Sequence, residues 1–518
     1  MTGTTGTAKV AVIGAGPGGL AAAMLLSAEG YEVELYEQQA TVGGRSGELR
    51  LGDYRFDRGA TFLMMPHLLE ELFALAGRSV HDYVSLKPLD PLYSLHFGDT
   101  VFTPSTNQVQ TAEEIERLFP GNGNGYRRFM AEEGDKLERV IPLLQRPFQS
   151  LGDYMKRDVL HALPKLNAAD NVYNRLSRYF DDERLRFSFT FQAKYLGMSP
   201  WECPGTFTIL SYMEHRYGLY HPIGGINRVL QAMAEVIQEH GGQVHTASGV
   251  KRILVKNGHA AGLLLESGEK VEADYIVIGA DFGSAMTQLF EPGLLKKYTP
   301  AKIARKRYSC STAMLYLGID GEVELDHHSV HFAADYRRNV REITELGVLS
   351  DDASIYIHNP SVIDKTLAPP GKSSLYVLMP VPNLSADINW EQERAEVEDW
   401  MMERLEQIPQ LAGIAGRVEE RLFFSPQDWQ DKQNVYNGAT FNLAHNLGQM
   451  MHLRPHNTFE EVRGIWLVGG GTHPGSGLPT IFESAKISAQ LLRKHDQAVR
   501  GRFTVQTGAH GAGAGVPL

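Results

Sequence analysis

The chain has 518 residues, of which 43% are hydrophobic and 21% charged, the composition of a globular protein with room for two domains. Its formal charge of −11 argues against nucleic-acid binding and against electrostatic capture by an anionic membrane. The two cysteines, Cys203 and Cys310, exclude a disulfide framework.

A strand–turn–helix–strand pattern opens the chain over residues 10–37. A short apolar run leads into Gly14, Gly16 and Gly19, which stand in G-x-G-x-x-G spacing, and an Ala-rich run then predicts a helix. A second strand ends at Glu37, where an acid takes the ribose hydroxyls of a bound dinucleotide. The pattern therefore predicts a Rossmann-type dinucleotide site.

The residues of this turn have separate tasks in such a site. Gly14 allows the tight turn, Gly16 lets the backbone approach a pyrophosphate, and Gly19 lets helix and strand pack closely. Pro17 and Gly18 lie at the start of the predicted helix, where free N–H groups and the positive end of the helix dipole favour phosphate.

Two further segments follow the second strand: Gly43-Gly44-Arg45-Ser46, and Gly59-Ala60-Thr61 within DRGAT. Taken alone they predict a turn and a surface loop. Directly after a ribose-binding acid, however, G-G-R-x resembles the second fingerprint of the FAD-binding amine oxidase and carotenoid desaturase superfamily. The resemblance implies that these small residues pass beside the pyrophosphate, that Arg45 faces phosphate or flavin, and that the dinucleotide is FAD.

The middle of the chain is predicted to leave the nucleotide domain and return to it twice. Residues 126–220 are predicted to be helical, and their many aromatic side chains suit an ordinary core or the wall of an apolar substrate channel. Strands are predicted at 243–246, 250–255 and 271–280, and residues 305–455 alternate strand and helix without a nucleotide motif.

A glycine-dense loop, GGGTHPGSG at 469–477, lies between a predicted strand and a helix that begins at Leu478. Its glycines let the backbone lie against a flat ring, and the positive end of the helix would stabilise reduced flavin. The predicted contacts are Gly470, Gly471, Thr472, His473, Gly477, Leu478 and Pro479. His473 is interpreted as a residue that gives the loop its shape beside the flavin, and not as a catalytic base.

The predicted architecture is α/β, with a discontinuous Rossmann-type FAD-binding domain and a second, α+β domain. The first domain covers 1–110, 221–300 and 455–500. The second, which binds substrate and faces the membrane, covers 111–220 and 301–454. The Gly/Ala-rich end predicts a flexible tail at 501–518.

These residues together resemble the bacterial phytoene desaturase family of carotenoid biosynthesis, from residue 10 to about 492. The most specific agreement is LVGGGTHPGSG at 467–477, which resembles the family signature L-V-G-x-G-T-H-P-G-x-G. The resemblance implies an amine-oxidase/desaturase-like fold, FAD as sole redox cofactor with Val250 among its contacts, and a lipid-soluble carotenoid substrate. It also implies monotopic binding to a membrane surface and transfer of electrons to quinone or oxygen.

The predicted function is therefore FAD-dependent desaturation of an acyclic carotenoid of the phytoene or diapophytoene type. An oxygenase of carotenoid end groups from the same family is an alternative, since GLPTIFES at 477–484 replaces the G-I-P-G-V continuation of many members and would alter the pocket. An amine oxidase is disfavoured by the T-H-P-G loop. A prenyl-lipid chaperone of the GDP-dissociation-inhibitor type is disfavoured by the intact FAD segments.

Asp153, in LGDYM at 151–155, resembles an acid of a short family segment and is the candidate catalytic residue. Desolvation beside a polyene would raise its pKa, so that it could stabilise a developing cation or accept the proton. The alternative is that Asp153 caps the following helix. No metal site is predicted, because His327, His328 and His473 lack acidic partners at metal-triad spacing.

The predicted location is the cytoplasmic face of a membrane. The scarcity of cysteine suits a reducing compartment, and the first residues, MTGTTGTAK, do not resemble a signal peptide. No apolar run approaches the roughly 18–20 residues of a spanning helix. Membrane contact is therefore expected through an apolar patch within residues 126–220.

Overall fold

A computed structural model describes residues 7–509, with side chains described up to residue 500. The strands are β1 Lys9–Ile13, β2 Glu32–Tyr36, β3 Glu48–Leu51, β4 Tyr54–Asp57, β5 Leu63–Met64, β6 Leu86–Pro88, β7 Ser94–Phe97, β8 Thr100–Phe102, β9 Leu219–Pro222, β10 Gln243–His245, β11 Val250–Lys256, β12 His259–Leu265, β13 Lys270–Glu272, β14 Tyr275–Ile278, β15 Ser311–Ile319, β16 His328–His331, β17 Ile355–His358, β18 Ser373–Val381, β19 Val418–Phe424 and β20 Ile465–Leu467.

The α-helices pack on these strands or join them. They are α1 Pro17–Ala28, α2 Pro66–Leu75, α3 Gln108–Leu118, α4 Gly123–Leu144, α5 Arg157–Ala162, α6 Val172–Leu176, α7 Glu183–Ser188, α8 Ile209–Tyr217, α9 Ile226–Glu239, α10 Phe282–Gln288, α11 Pro300–Ala304, α12 Tyr336–Arg341, α13 Trp390–Glu406, α14 Pro426–Gln433 and α15 Leu478–Ala509.

A five-stranded parallel sheet in the order β10–β2–β1–β14–β20 carries the predicted nucleotide pattern. β1 is a continuous apolar run because both of its faces are covered. Val10 and Val12 pack with α1, α9 and α15, whereas Ala11 and Ile13 pack with the three-stranded sheet β11–β12–β13 and α10. The Rossmann-type fold predicted from the sequence is thereby confirmed.

A seven-stranded sheet in the order β19–β15–β18–β17–β16–β7–β8 forms the second layer, and α13 covers one of its faces. β7 and β8 belong to this sheet because Ser94 to His96 pair with Ser329 to His331 of β16. The predicted boundary at residue 110 is therefore wrong for these two strands. β7 and β8 are assigned to this sheet by pairing with a segment far away in the chain, and the local sequence does not predict such pairing.

Residues 108–217 form a layer that contains α3–α8. Within the region 126–220 that was predicted to be helical, these helices are joined by short turns, and β9 begins at residue 219. Most aromatic side chains of this layer belong to the largest apolar core among the described residues. None of the helices of residues 7–509 combines the length and apolarity needed to cross a bilayer.

The last helix, α15, is longer than predicted and includes 501–509. This part of the predicted flexible tail is helical, and no proline interrupts residues 501–509. Just before it, Arg500 pairs with Asp496 at 2.8 Å, one helical turn earlier. Residues 510–518, the rest of the predicted tail, lie outside the described residues.

Candidate active site

One cavity of about 480 Å³ joins the predicted nucleotide-binding segments to an apolar pocket. Both large sheets contribute to its wall, with Ile13 of β1 and Tyr36 of β2 on one side and Met314 of β15 and Leu378 of β18 on the other. Its volume lies in the range of about 300–1,000 Å³ that is usual for small-molecule sites. The cavity can therefore bring a cofactor and an apolar substrate into contact.

The turn between β1 and α1 leaves room for a phosphate group. Gly14 has a φ of +93°, and α1 begins at Pro17 with no side chain of the described residues capping its first turn. A Cβ on Gly16 would meet no described heavy atom within 4 Å, so the space before the helix is open. A Cβ on Gly19 would lie 2.0 Å from the Gly14 carbonyl oxygen. The geometry thus suits a pyrophosphate at Gly16 and close packing at Gly19.

Glu37 lies at the cavity wall just beyond β2, with both carboxylate oxygens held in place. Its Oε2 accepts a hydrogen bond from the Ala15 N–H at 2.7 Å, and its Oε1 accepts one from the Gln39 N–H at 2.8 Å. The residue is only 5% exposed. Each oxygen retains a lone pair toward the cavity, so the carboxylate can accept ribose hydroxyls.

The Gly43–Ser46 segment packs directly against the first turn. The Gly43 N–H donates to the Ala15 carbonyl oxygen at 2.8 Å, and a Cβ on Gly44 would lie 3.2 Å from the Gly16 Cα. Arg45 lines the cavity and forms an ion pair with Asp281, the residue that caps α10. This brings a guanidinium group to the cofactor half of the cavity.

Gly59 and Thr61 connect the cofactor half to the seven-stranded sheet. The Tyr376 hydroxyl donates to the Gly59 carbonyl oxygen at 2.9 Å, and the Thr61 hydroxyl lies 2.6 Å from the Tyr356 hydroxyl. The Tyr356 hydroxyl also lies 2.7 Å from His328 Nδ1. Thr61, Tyr356 and His328 therefore form a polar strip in the cavity wall.

The C-terminal glycine loop is fixed from behind by one buried arginine. Arg454 is 1% exposed, and its guanidinium donates to the carbonyl oxygens of Gly470 at 2.5 Å, Thr472 at 3.2 Å and Leu443 at 3.4 Å. Burial lowers the pKa of Arg454 to about 9. These contacts hold Gly470 at the cavity wall, beside the start of α15.

Most of the predicted cofactor residues line this cavity: Gly14, Gly16, Pro17, Gly18, Glu37, Gly44, Arg45, Ser46, Gly59, Ala60, Thr61, Val250, Gly470, Gly477, Leu478 and Pro479. Five others are not among its lining residues: Gly19, Gly43, Gly471, Thr472 and His473. His473 is 3% exposed and its Nε2 lies 2.9 Å from the Arg146 carbonyl oxygen. A Cβ on Gly471 would lie 2.5 Å from that of Phe282. These residues shape the wall from behind, and their direct contact with cofactor stays a prediction.

Asp153 is not placed as predicted. It lies in a short helical turn, where its Oδ2 accepts hydrogen bonds from the N–H groups of Gln149 and Ser150, both at 2.9 Å, and its Oδ1 pairs with Lys156 at 2.7 Å. Partial burial opposes ionisation, but these partners together lower the pKa of Asp153 well below its usual range. It forms a capping box with Ser150 and is not a lining residue. The predicted raised pKa beside the polyene is wrong, because the carboxylate is satisfied locally.

The other half of the cavity is apolar and comes from the helical layer and the seven-stranded sheet. Its side chains are Phe62, Met64, Tyr93, Phe191, Tyr195, Leu196, Leu210, Met213, Leu219, Val330, Ile355, Tyr376, Leu378 and Pro380. Few groups here can hydrogen-bond to a ligand, so a ligand must be bound mainly through buried apolar area.

Glu214 of α8 is a buried acid behind this apolar wall that the sequence analysis did not single out. It is fully buried, and its Oε2 accepts hydrogen bonds from Gln192 at 2.7 Å and from the Tyr93 hydroxyl at 3.0 Å. Burial raises the pKa of Glu214 to about 7. Its signal in the sequence is an acid within the aromatic-rich stretch 126–220. The desolvation and raised pKa that were predicted for Asp153 are found at Glu214 instead.

Comparison with known proteins supports a flavin site. The family model of flavin containing amine oxidoreductases matches residues 17–493. Among solved structures, an oxidoreductase from Methanosarcina mazei superposes with a TM-score of 0.59 at 19% identity, covering 92% of this chain and 99% of that one. At this identity the likeness shows the fold alone.

Two curated relatives align over nearly their whole length. The chain is 44% identical to a 4,4'-diapophytoene desaturase (4,4'-diapolycopene-forming) from Methylomonas sp., covering 94% of this chain and 96% of the relative. It is 35% identical to a zeta-carotene-forming phytoene desaturase from Myxococcus xanthus, covering 95% of each chain.

Proposed function

Since the chain belongs to the flavin-containing amine oxidoreductases and, among them, to the carotenoid desaturases, we propose that it desaturates an acyclic 30-carbon carotenoid, 4,4'-diapophytoene. FAD is its cofactor, and the reaction introduces C=C bonds. The observation that carries the proposal is the single cavity in which the FAD segments meet an apolar, aromatic wall. The Methylomonas relative supports the 30-carbon substrate.

The residues of the cofactor half fit FAD as the sequence predicts. Open space before Gly16 suits the pyrophosphate, Glu37 suits the ribose, and Leu478 at the start of α15 suits the flavin ring. When bound, FAD supplies the two-electron acceptor of the reaction. The task of the protein is then to hold the polyene, to exclude water and to receive a proton.

The proton that leaves the carotenoid has a buried acceptor in this proposal. Tyr93 and Tyr195 line the cavity, and the Tyr93 hydroxyl donates to Glu214. A C–H group beside a developing cation is strongly acidic. The Tyr93 oxygen can therefore accept its proton while the Tyr93 hydroxyl proton passes to the Glu214 carboxylate. Glu214, with its pKa raised to about 7, is matched to that exchange near neutral pH. We therefore assign it a positioning role behind Tyr93.

A membrane-facing surface is the second part of the proposal. Leu151, Met155, Leu160 and Leu163 are 72%, 73%, 46% and 37% exposed, and they form the 151–163 patch within the predicted region 126–220. Exposed apolar side chains grouped in this way are typical of lipid or protein contact. We propose that the patch enters the cytoplasmic leaflet, from which a carotenoid can reach the cavity, and that quinone or oxygen takes up the electrons.

The test is incubation of the purified holoprotein with 4,4'-diapophytoene or with phytoene in liposomes, with products separated by chromatography. Extra conjugated double bonds in the 30-carbon product, at several-fold higher turnover than in the 40-carbon product, are expected. Gly16→Val is the matched control, because the valine would fill the open space at the pyrophosphate position. Products that contain oxygen would indicate an end-group oxygenase. Purified protein without flavin absorption would contradict the proposal and favour a prenyl-lipid chaperone.

A further inference from the structure

Three buried histidines from distant parts of the chain meet on the far side of the polar strip. His221 lies in β9, His327 precedes β16, and His358 ends β17. One ring nitrogen of each lies within 4.8 Å of those of the other two. Their relative exposures are 0%, 8% and 1%. The three rings therefore share one small, water-poor space between β9 and the seven-stranded sheet.

Four ring nitrogens of the cluster have no hydrogen-bond partner among the described residues. They are Nδ1 of His221, both ring nitrogens of His327, and Nε2 of His358. An unpartnered buried polar atom costs free energy, and such atoms are rare in folded proteins. A neutral imidazole has one nitrogen with a free lone pair and one that carries a proton. One unpartnered nitrogen from each ring can therefore donate its lone pair to a bound ion.

An acidic residue behind the cluster completes a metal-site arrangement. His221 Nε2 lies 2.9 Å from Asp364 Oδ2, and both side chains are fully buried. Asp364 is itself fixed, because it accepts hydrogen bonds from the Gly224 N–H at 2.7 Å and from the Thr366 N–H at 3.0 Å. Because a carboxylate oxygen only accepts, this contact places the His221 proton on Nε2 and leaves Nδ1 with a free lone pair. Metal-binding histidines nearly always have such a carboxylate or carbonyl partner.

We propose that His221, His327 and His358 bind one divalent transition-metal ion, with zinc as the preferred occupant and water as its fourth ligand. Three imidazoles are donors that suit zinc, and Zn–N bonds of about 2.0–2.1 Å place tetrahedral nitrogens about 3.4 Å apart. The present separations of up to 4.8 Å must therefore shorten when an ion binds. The sequence gives no hint of the site, because His221 and His358 lie far from His327 along the chain.

The position of this site indicates a structural role. β9 leads through Gly224 and Gly225 into α9, which packs on α1 beneath the cofactor half, whereas His327 and His358 belong to the substrate-facing sheet. A metal ion would tie these two layers together. His328, the neighbour of His327, lines the cavity, so the ion would also fix the polar strip beside the substrate.

The test measures metal directly and does not depend on desaturase activity. Untagged holoprotein is equilibrated with one equivalent of Zn²⁺, passed through a desalting column and assayed for zinc by mass spectrometry and for FAD by absorbance. About one zinc per chain is expected, and a chelator should lower the melting temperature by several degrees, with recovery when Zn²⁺ is added. Zinc content below about one tenth of an equivalent, with only water in the cluster, overturns the proposal.

Matched variants assign the ligands. His327→Gln and His358→Gln should lose at least about ten-fold in zinc affinity and lose the chelator response. His331→Gln should retain both, because His331 lies at the end of β16, where its ring stacks on His96 outside the cluster. Equal loss of zinc in all three variants contradicts the ligand assignment. If the Gln variants do not fold, competition between a zinc-binding dye and the wild-type protein measures the same affinity, and no binding there refutes the site.

Discussion

Glu214→Gln should change how the stability of the protein depends on pH. Glu214 is fully buried, and burial raises its pKa from 4.5 to about 7. The folded protein therefore binds the Glu214 proton more tightly than the unfolded chain does. Its contribution to stability is complete below about pH 4.5 and is lost as the pH rises through about 7. Glutamine keeps the shape and the hydrogen-bonding capacity but removes this ionisation.

The size of the effect follows from the same pKa change. At about 1.4 kcal/mol per pKa unit, a change from 4.5 to about 7 corresponds to about 3 kcal/mol between pH 4.5 and pH 8. The free energy of unfolding of the wild-type protein should thus fall by about 3 kcal/mol relative to that of Glu214→Gln over this range. For a chain of this size, the difference amounts to several degrees in melting temperature.

The assay is denaturant unfolding of the FAD-loaded proteins, followed by fluorescence at closely spaced pH values. Glu138→Gln, a substitution of an exposed glutamate in α4, is the control, and its stability should follow that of the wild type at every pH. Turnover should also differ, because wild-type activity rises with pH as the carboxylate forms, whereas Glu214→Gln should stay low throughout and lie about 10²-fold below the wild type at pH 8. A stability difference that stays constant from pH 4.5 to 8 would refute the reasoning about burial.

Three other predictions follow from the site and its surroundings. Glu37→Ala removes hydrogen bonds to ribose worth about 1.5–3 kcal/mol each, so the protein should lose FAD on dialysis, and unchanged flavin absorption would contradict this assignment. Asp153→Asn should retain normal FAD content and turnover, because the asparagine side-chain oxygen can still accept the N–H hydrogen bonds of Gln149 and Ser150; a loss of about 10²-fold in turnover would place Asp153 in the mechanism. The double variant Leu151→Asp with Met155→Asp should float several-fold less with neutral liposomes while it keeps its flavin, whereas Leu75→Asp, at an exposed leucine outside the patch, should float as the wild type does.

The cofactor half of the site could be predicted because its signals are local. Gly14, Gly16 and Gly19 lie within one turn, and Glu37 lies at the end of the next strand. The requirements of a tight turn and of close packing leave few residue types possible at these positions. Residues of the cofactor half that are close in the sequence are therefore also close in space.

The other half could not be predicted, because its contacts join segments far apart in the chain. Glu214 becomes a buried acid only when α8 packs against Tyr93 and Gln192. Asp153 looks similar in the sequence but receives backbone hydrogen bonds from its own turn. Whether an acid is desolvated or satisfied depends on tertiary packing, which a short motif does not contain.

The sheet order β10–β2–β1–β14–β20 has a consequence for the synthesis of this protein. β2 ends at residue 36 and β20 begins at residue 465, so 428 residues separate two strands of one sheet. At about 5–20 residues per second, a ribosome needs about 20–90 s between them. During that interval α1, which is apolar on nearly every face, waits for the α15 surface that covers it. The nascent chain thus carries, for most of its translation, an apolar helix that α9 can cover on one side but whose surface toward α15 stays exposed.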